Sequence, residues 1–122
     1  MENFDKIAYR EELKARLRRF ALKLIELSKS TPYSPESKVL MNQLLRSGTS
    51  VYANYRASCR ARSKAEFFSK LSIVVEEADE TEMWLDLIIF SKINESDLAK
   101  TLWNESLEIL KIMAKARKSI SS

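Results

Sequence analysis

Apolar side chains recur at intervals of four and three residues through most of the chain, which is the spacing that places them on one face of an α-helix. The first such stripe predicts a helix over residues 3–29 and consists of Leu13, Leu17, Phe20, Leu24 and Leu27. After a break that contains two prolines, Ser34 and Glu36 flank Pro35 in the order of an N-cap, a first-turn proline and a first-turn acid. A second helix is therefore predicted over residues 35–60.

The remaining stripes follow the same periodicity. That of the second helix consists of Met41, Leu44, Leu45, Gly48, Val51, Tyr52 and Tyr55. The third helix, predicted over residues 64–92, has an unbroken repeat of Phe67, Leu71, Val74, Ala78, Thr81, Leu85 and Ile88. A fourth helix over residues 96–118, capped by Asn94 or Ser96, has a stripe of Leu98, Leu102, Ile109, Ile112 or Met113, and Ala116. The residues after Lys118 are expected to fray.

Four helices of similar length joined by short loops favour antiparallel neighbours, so the predicted fold is an all-α, up-down-up-down four-helix bundle. Composition agrees, because 122 residues suit one domain (1–122), and one glycine and two prolines are typical of long helices. No apolar run reaches the roughly 20 residues of a membrane helix. With one cysteine and no apolar run of the signal-peptide type at the N-terminus, we expect a cytoplasmic protein that does not enter a membrane.

The third helix carries a second stripe, rotated by roughly 100° from the first, which a lone bundle does not need. It consists of Ile73, Glu77, Glu80, Trp84 and Leu87. Apolar side chains mixed with carboxylates are typical of a subunit interface with a wet rim, so we interpret this stripe as an oligomer interface. The alternative is that Trp84 covers an edge of the core. In the second helix, Gly48 costs about 1 kcal/mol relative to alanine and predicts the close approach of another helix.

Charge is distributed unevenly along this chain of net charge +4 and pI near 9.2. Six cations and no acid lie between Glu36 and Glu66, whereas six acids and no cation lie between Lys70 and Lys92. The basic segment predicts a nucleic-acid-binding surface that holds phosphates without reading sequence and consists of Arg46, Arg56, Arg60, Arg62 and Lys64. Alternatively, these cations face the acidic helix of a neighbouring subunit.

The absence of histidine excludes a Ser-His-Asp triad, a Cys-His pair and ordinary zinc sites, and a single glycine excludes a phosphate-binding glycine loop. Glu76 and Glu80 lie one turn apart and are able in principle to share a proton or a metal, but a solvated acidic face is the favoured interpretation. Cys59 is expected to be a half-buried structural cysteine rather than a reactive thiol. We therefore predict no catalytic residue, no metal and no cofactor.

Helices two and three contain a signature that resembles a known protein family. It comprises LRSGTSVYANY at residues 45–55, ARSKAEF at 61–67 and KLSI at 70–73. Three residue pairs follow at 77–78 (EA), 80–81 (ET) and 84–85 (WL). These segments resemble the four-helix-bundle proteins encoded in intervening sequences of 23S ribosomal RNA genes and, more distantly, accessory proteins of diversity-generating retroelements. Ala57 departs from the pattern, since the family usually has a glutamate at about that point.

The resemblance implies a bacterial, cytoplasmic bundle that forms a ring-like homo-oligomer, a pentamer, and it implies no settled activity. Our leading hypothesis is a non-enzymatic homo-oligomer that binds RNA or DNA through the four arginines and Lys64 of the basic segment, with the arginines of the first helix as further candidates. The second hypothesis is a scaffold that docks another protein and uses the arginines in assembly. The third, an enzyme that uses the carboxylates of the third helix, requires a bound metal.

Overall fold

The computed structural model describes residues 4–121, and in this range the chain forms four α-helices without strands. They are α1 (Phe4–Ser30), α2 (Pro35–Ser58), α3 (Lys64–Phe90) and α4 (Asp97–Ser121). Each helix packs against its neighbours in sequence and α4 also packs against α1, so α1 and α3 lie on opposite sides of the bundle, as do α2 and α4. The predicted fold class, an antiparallel up-down-up-down four-helix bundle, is confirmed.

The predicted apolar stripes fill the centre of the bundle. All five stripe positions of α1 are buried, as are those of α3 except the half-buried Phe67. In α4, Met113 is buried and Ile112 is half-buried, so Met113 occupies the core position. Leu45 and Tyr52 of α2 are also half-buried, because they lie at the edge of the core rather than at its centre.

Helix bounds agree with the predicted ones to within three residues, and the starts of α2 and α3 coincide with them. The predicted start at Asn3 lies outside the described residues, and α2 ends at Ser58 rather than at residue 60. The largest difference is in α4, which continues through Ser121 although fraying was expected after Lys118. Ile120 explains the extension, since its side chain packs against the core at a groove shared with Tyr9 and Leu13.

Serine caps fix where three helices begin. Ser34 accepts a hydrogen bond from the Ser37 N–H and its own N–H donates to the Ser37 hydroxyl, which is a reciprocal capping box. Ser63 accepts from the Glu66 N–H at 3.0 Å, and Ser96, rather than Asn94, accepts from the Ala99 N–H at 3.2 Å. The caps thus stabilise the start of each helix after α1.

Gly48 lies where α2 comes closest to its neighbours. A Cβ atom at this position would be 2.1 Å from Cδ1 of Leu24 in α1 and 3.8 Å from Cγ2 of Thr81 in α3. Beside it, the buried hydroxyl oxygens of Ser47 and Thr81 are 2.9 Å apart. The close helix approach predicted from the glycine is therefore present, and Leu24 and Thr81 lie at the same height along the bundle.

Candidate nucleic-acid interface

Two exposed arginines contact the half-buried ring of Tyr52 where α1 meets α2, and a third follows past the end of α2. Arg18 of α1 donates a hydrogen bond from Nε to the Tyr52 hydroxyl at 3.0 Å, and Cζ of Arg56 lies 5.4 Å from the ring centroid. Arg60 is exposed one turn after Arg56. We call Arg18, Tyr52, Arg56 and Arg60 the basic face.

Electrostatics on the basic face are set by guanidinium groups. The hydrogen bond from Arg18 lowers the pKa of the Tyr52 hydroxyl and raises the pKa of Arg18 itself. Within residues 4–121, Arg18, Arg56 and Arg60 each lie beyond ion-pair distance of any carboxylate. The face therefore carries positive charge that the chain does not neutralise by direct pairing.

Arg46 lies apart from the basic face, although it belongs to the predicted binding set. Its guanidinium group contacts two carboxylates of α3, with Nη2 2.5 Å from Glu80 Oε1 and Nη1 3.2 Å from Glu77 Oε2. The bond to Glu80 raises the pKa of Arg46, and the same bond lowers the pKa of the Glu80 carboxyl. Arg46 thus joins α2 to α3 within one chain, a role that spacing along one helix does not reveal.

Arg62 and Lys64 continue the positive charge beyond the end of α2. Both are exposed, and Arg62 Nε lies 3.6 Å from the Glu66 carboxylate. Such a long, exposed ion pair contributes little, so a phosphate can compete for Arg62. Tyr55, in contrast, is buried, and burial raises the pKa of its hydroxyl above the ordinary range. Tyr55 is therefore a core residue and not a stacking platform.

The five residues of the predicted oligomer interface divide into two groups. Glu77, Glu80 and Trp84 are half-buried, and Trp84 Nε1 donates to Glu80 at 3.2 Å while its ring packs against the core. Ile73 and Leu87 are exposed to 36% and 42%. The stripe therefore serves two purposes, since its middle closes the seam with α2 and its ends present apolar surface to solvent.

Two kinds of residue were missed by the sequence analysis. Met83 and Phe90 of α3 are 38% and 71% exposed and extend the apolar surface of Leu87. Met83 lies four residues before Leu87 and Phe90 three residues after it, so their spacing could have predicted that the three side chains share one face of α3. The prediction was not made because Met83 belongs to neither of the two stripes identified on α3. Arg18 was not singled out from the other arginines of the first helix, which were further candidates for the binding set, because nothing local in the sequence places it beside Tyr52 of another helix.

The remaining candidate groups are the carboxylates of α3 and the thiol of Cys59. Within the described residues, no group of three or more His, Cys, Asp or Glu side chains is arranged to hold a metal ion. Cys59 is half-buried and packs against the core beside Tyr55. In the same part of the chain, we find no helix that combines the length and the apolar character needed to cross a membrane.

The chain is similar in sequence and fold to proteins of one known family. Residues 12–115 match the family described as 23S rRNA-intervening sequence protein. A protein of unknown function from the S23 ribosomal protein family of Bacteroides thetaiotaomicron has a crystal structure that superposes on this chain with a TM-score of 0.78. The two sequences are 36% identical. The alignment covers 86% of this chain and 97% of that one. Comparison with curated proteins gives no match. Because the family match spans most of the chain, including the serine-capped helices and the seam at Gly48, the chain belongs to the family of 23S rRNA-intervening sequence proteins.

Proposed function

We propose that this protein is a non-enzymatic, self-associating helical bundle that binds RNA or DNA without sequence specificity. The observation that carries this proposal is the exposed cluster of Arg18, Arg56 and Arg60, which among the described residues has no carboxylate within ion-pair distance. Guanidinium groups without an acid partner can donate paired hydrogen bonds to phosphate oxygens. Arg62 and Lys64 extend the same surface past the end of α2.

The contact is proposed to be electrostatic rather than base-specific. Tyr55 is buried and one face of the Tyr52 ring is occupied by Arg56, so little aromatic surface remains for stacking on bases. Phosphate contacts position a protein on nucleic acid but do not read its sequence. We therefore expect similar affinities for unrelated RNAs of equal length.

Self-association is supported by apolar side chains on the outside of α3. Ile73, Met83 and Leu87 are each more than a third exposed, on a helix that already buries a complete stripe in its own bundle. A second copy of the chain that covers these side chains would remove them from water. The resemblance to the family implies a homopentamer.

The experiment is a titration of fluorescently labelled RNA with the purified protein, read by anisotropy at 50 and 200 mM salt. For single-stranded RNA, each phosphate contact contributes about −0.7 to the slope of log affinity against log salt. Five contacts, one from each cation of the proposed surface, predict a loss of affinity of roughly 130-fold between the two concentrations. No binding at 50 mM salt, or binding that salt leaves unchanged, overturns the proposal.

Paired variants assign the binding to the basic face. Arg56→Gln with Arg60→Gln should weaken binding and reduce the salt slope by about 1.4, since two phosphate contacts are lost. The matched control is Lys100→Gln with Lys115→Gln, which removes two exposed cations from α4 on the opposite side of the bundle. Equal losses from both pairs would indicate a dependence on net charge alone and would contradict the assignment.

The second candidate function is a scaffold that docks another protein and uses its arginines for assembly. The pairing of Arg46 with two carboxylates favours it, since one cation of the predicted set is already structural. The Arg56 and Arg60 variant distinguishes the two functions. Loss of the oligomer would assign these cations to assembly, whereas an intact oligomer that no longer retains RNA would assign them to the ligand.

A further inference from the structure

Two helices on opposite sides of the bundle carry opposite charge. Helix α1 has eight cations and four carboxylates, whereas α3 has seven carboxylates and two cations. The two helices do not pack against each other, because each lies between α2 and α4. The uneven charge of the sequence thus becomes a separation of charge across the width of the molecule.

Each of these helices also exposes apolar side chains near the same end of the bundle. Leu22 and Ile25 of α1 are 57% and 38% exposed, and Met83 and Leu87 of α3 are 38% and 42% exposed. We call Arg19, Leu22, Ile25 and Lys29 the outer strip of α1, and Glu76, Met83, Asp86 and Leu87 the outer strip of α3. The same two faces also carry the exposed Glu26 and Asp79. In α1 the two apolar side chains lie between the two cations, whereas in α3 Met83 lies between the two carboxylates and Leu87 lies beside Asp86. Apolar side chains rimmed by charges are typical of a protein interface.

The two strips lie at matching heights. Leu24 and Thr81 meet at Gly48 and mark one level, and α1 and α3 run in the same direction. Five residues before this level are Arg19 and Glu76, and five residues after it are Lys29 and Asp86. A second molecule placed beside the first, with no shift along the helix axis, therefore brings each cation opposite a carboxylate.

All four of these charges are available to a partner. Arg19, Lys29 and Glu76 are exposed and Asp86 is half-exposed. None of them takes part in an ion pair formed within residues 4–121. Contact with a complementary strip would therefore pair them without breaking a bond inside the chain.

We propose that the outer strip of α1 on one molecule binds the outer strip of α3 on the next. A contact between two α3 helices is disfavoured, because it would bring together two strongly acidic surfaces. A contact between two different surfaces is head-to-tail, so it continues from molecule to molecule and closes into a ring when the rotation allows. The inference rests on the self-association proposed above and specifies which surfaces meet.

This arrangement leaves the proposed binding surface open. The basic face lies mainly on α2, and neither α2 nor α4 forms the centre of the contact between molecules. Pairing α1 with α3 takes up two cations and two carboxylates per contact, so each assembled chain keeps its net charge of +4. The assembly therefore brings several basic faces together on one particle, which strengthens binding to a long polyanion by multivalency.

Charge reversal tests the contact in sedimentation velocity, with circular dichroism to verify that each variant is folded. Arg19→Glu with Lys29→Glu, and separately Glu76→Lys with Asp86→Lys, should each raise the concentration for half-assembly by at least about tenfold, because like charges then face each other. All four changes in one chain should restore assembly, since the strips are again complementary. The control is Lys100→Glu with Lys115→Glu on α4, which should assemble like the unmodified chain.

Two failures are distinguishable. An unmodified chain that sediments at 14.1 kDa at every concentration would overturn the self-association itself. An unmodified chain that assembles, combined with an α1 variant that assembles equally well, would overturn only the contact between α1 and α3. Failure of the four-change chain to assemble while both pairs disrupt would also contradict the pairing.

Discussion

Individual residues at the seam between α2 and its neighbours decide how tightly the bundle closes. Gly48 allows Leu24 to pack against the backbone of α2, and the hydroxyl groups of Ser47 and Thr81 are buried in contact with each other beside it. Outside this seam, Arg46 bonds to two carboxylates of α3. At this level α2 therefore contacts α1 through a residue without a side chain and α3 through polar side chains.

Replacing Gly48 with alanine should destabilise the bundle by about 1 kcal/mol. Helix propensity gains about 0.5–1 kcal/mol, but the clash with the fully buried Leu24 costs about 1–3 kcal/mol. Urea denaturation at one fixed protein concentration measures the net effect. In a Leu24→Ala background the clash is absent, so the same change should stabilise by about 0.5–1 kcal/mol. A destabilisation of equal size in both backgrounds would contradict the role of Leu24.

Replacing Arg46 with methionine should lower the midpoint of urea denaturation at pH 7, and the effect should disappear in acid. The bond to Arg46 lowers the pKa of Glu80, so this stabilisation is complete above about pH 4.5 and is lost as the pH falls through the lowered pKa. Arg60→Met is the control, because Arg60 forms no ion pair among the described residues. An Arg46 effect that persists unchanged at pH 2 would show that packing, not charge, is responsible.

At the scale of helices, much of the structure follows from the sequence. Apolar stripes and serine caps locate all four helices to within a few residues, since burial and capping depend on local spacing. The extension of α4 to Ser121 could not be predicted this way, because Ile120 packs against the core in a groove that residues from other helices line. Local signals locate helices, whereas contacts between distant segments decide where their ends remain ordered.

The turn after α3 contains a non-glycine residue in a left-handed conformation. Lys92 has φ 67°, which costs free energy for a residue with a Cβ atom. Lys92→Gly should therefore raise the free energy of unfolding by about 0.5–1 kcal/mol. The matched control, Lys100→Gly, removes the same charge inside α4 and should lower it by about 1 kcal/mol. Thermal denaturation of both variants at equal concentration checks the difference, and a loss of stability in both would contradict it.

At the scale of the whole molecule, charge and apolar exposure are arranged on three separate sides. The basic face lies between α1 and α2, the acidic outer strip on α3, and the basic outer strip on the far side of α1. The sequence predicts the cations at Arg56 and Arg60 but groups them with Arg46, since a helical wheel shows the angles of residues on one helix and not the carboxylates of the next helix. The acidic helix was visible in the sequence, but its position opposite α1 depends on the packing order of all four helices.

Crosslinking between defined positions tests the head-to-tail contact of α1 with α3 most directly. Ile25→Cys and Met83→Cys are introduced together into a Cys59→Ser chain and treated with a short bis-maleimide. The two positions lie on opposite sides of one bundle, so only neighbouring molecules can be joined through them. We predict a ladder of covalent trimers and longer products from the double-cysteine chain, and monomers from each single-cysteine chain. A covalent dimer from Met83→Cys alone, or no product from the double-cysteine chain, would contradict the head-to-tail contact of α1 with α3.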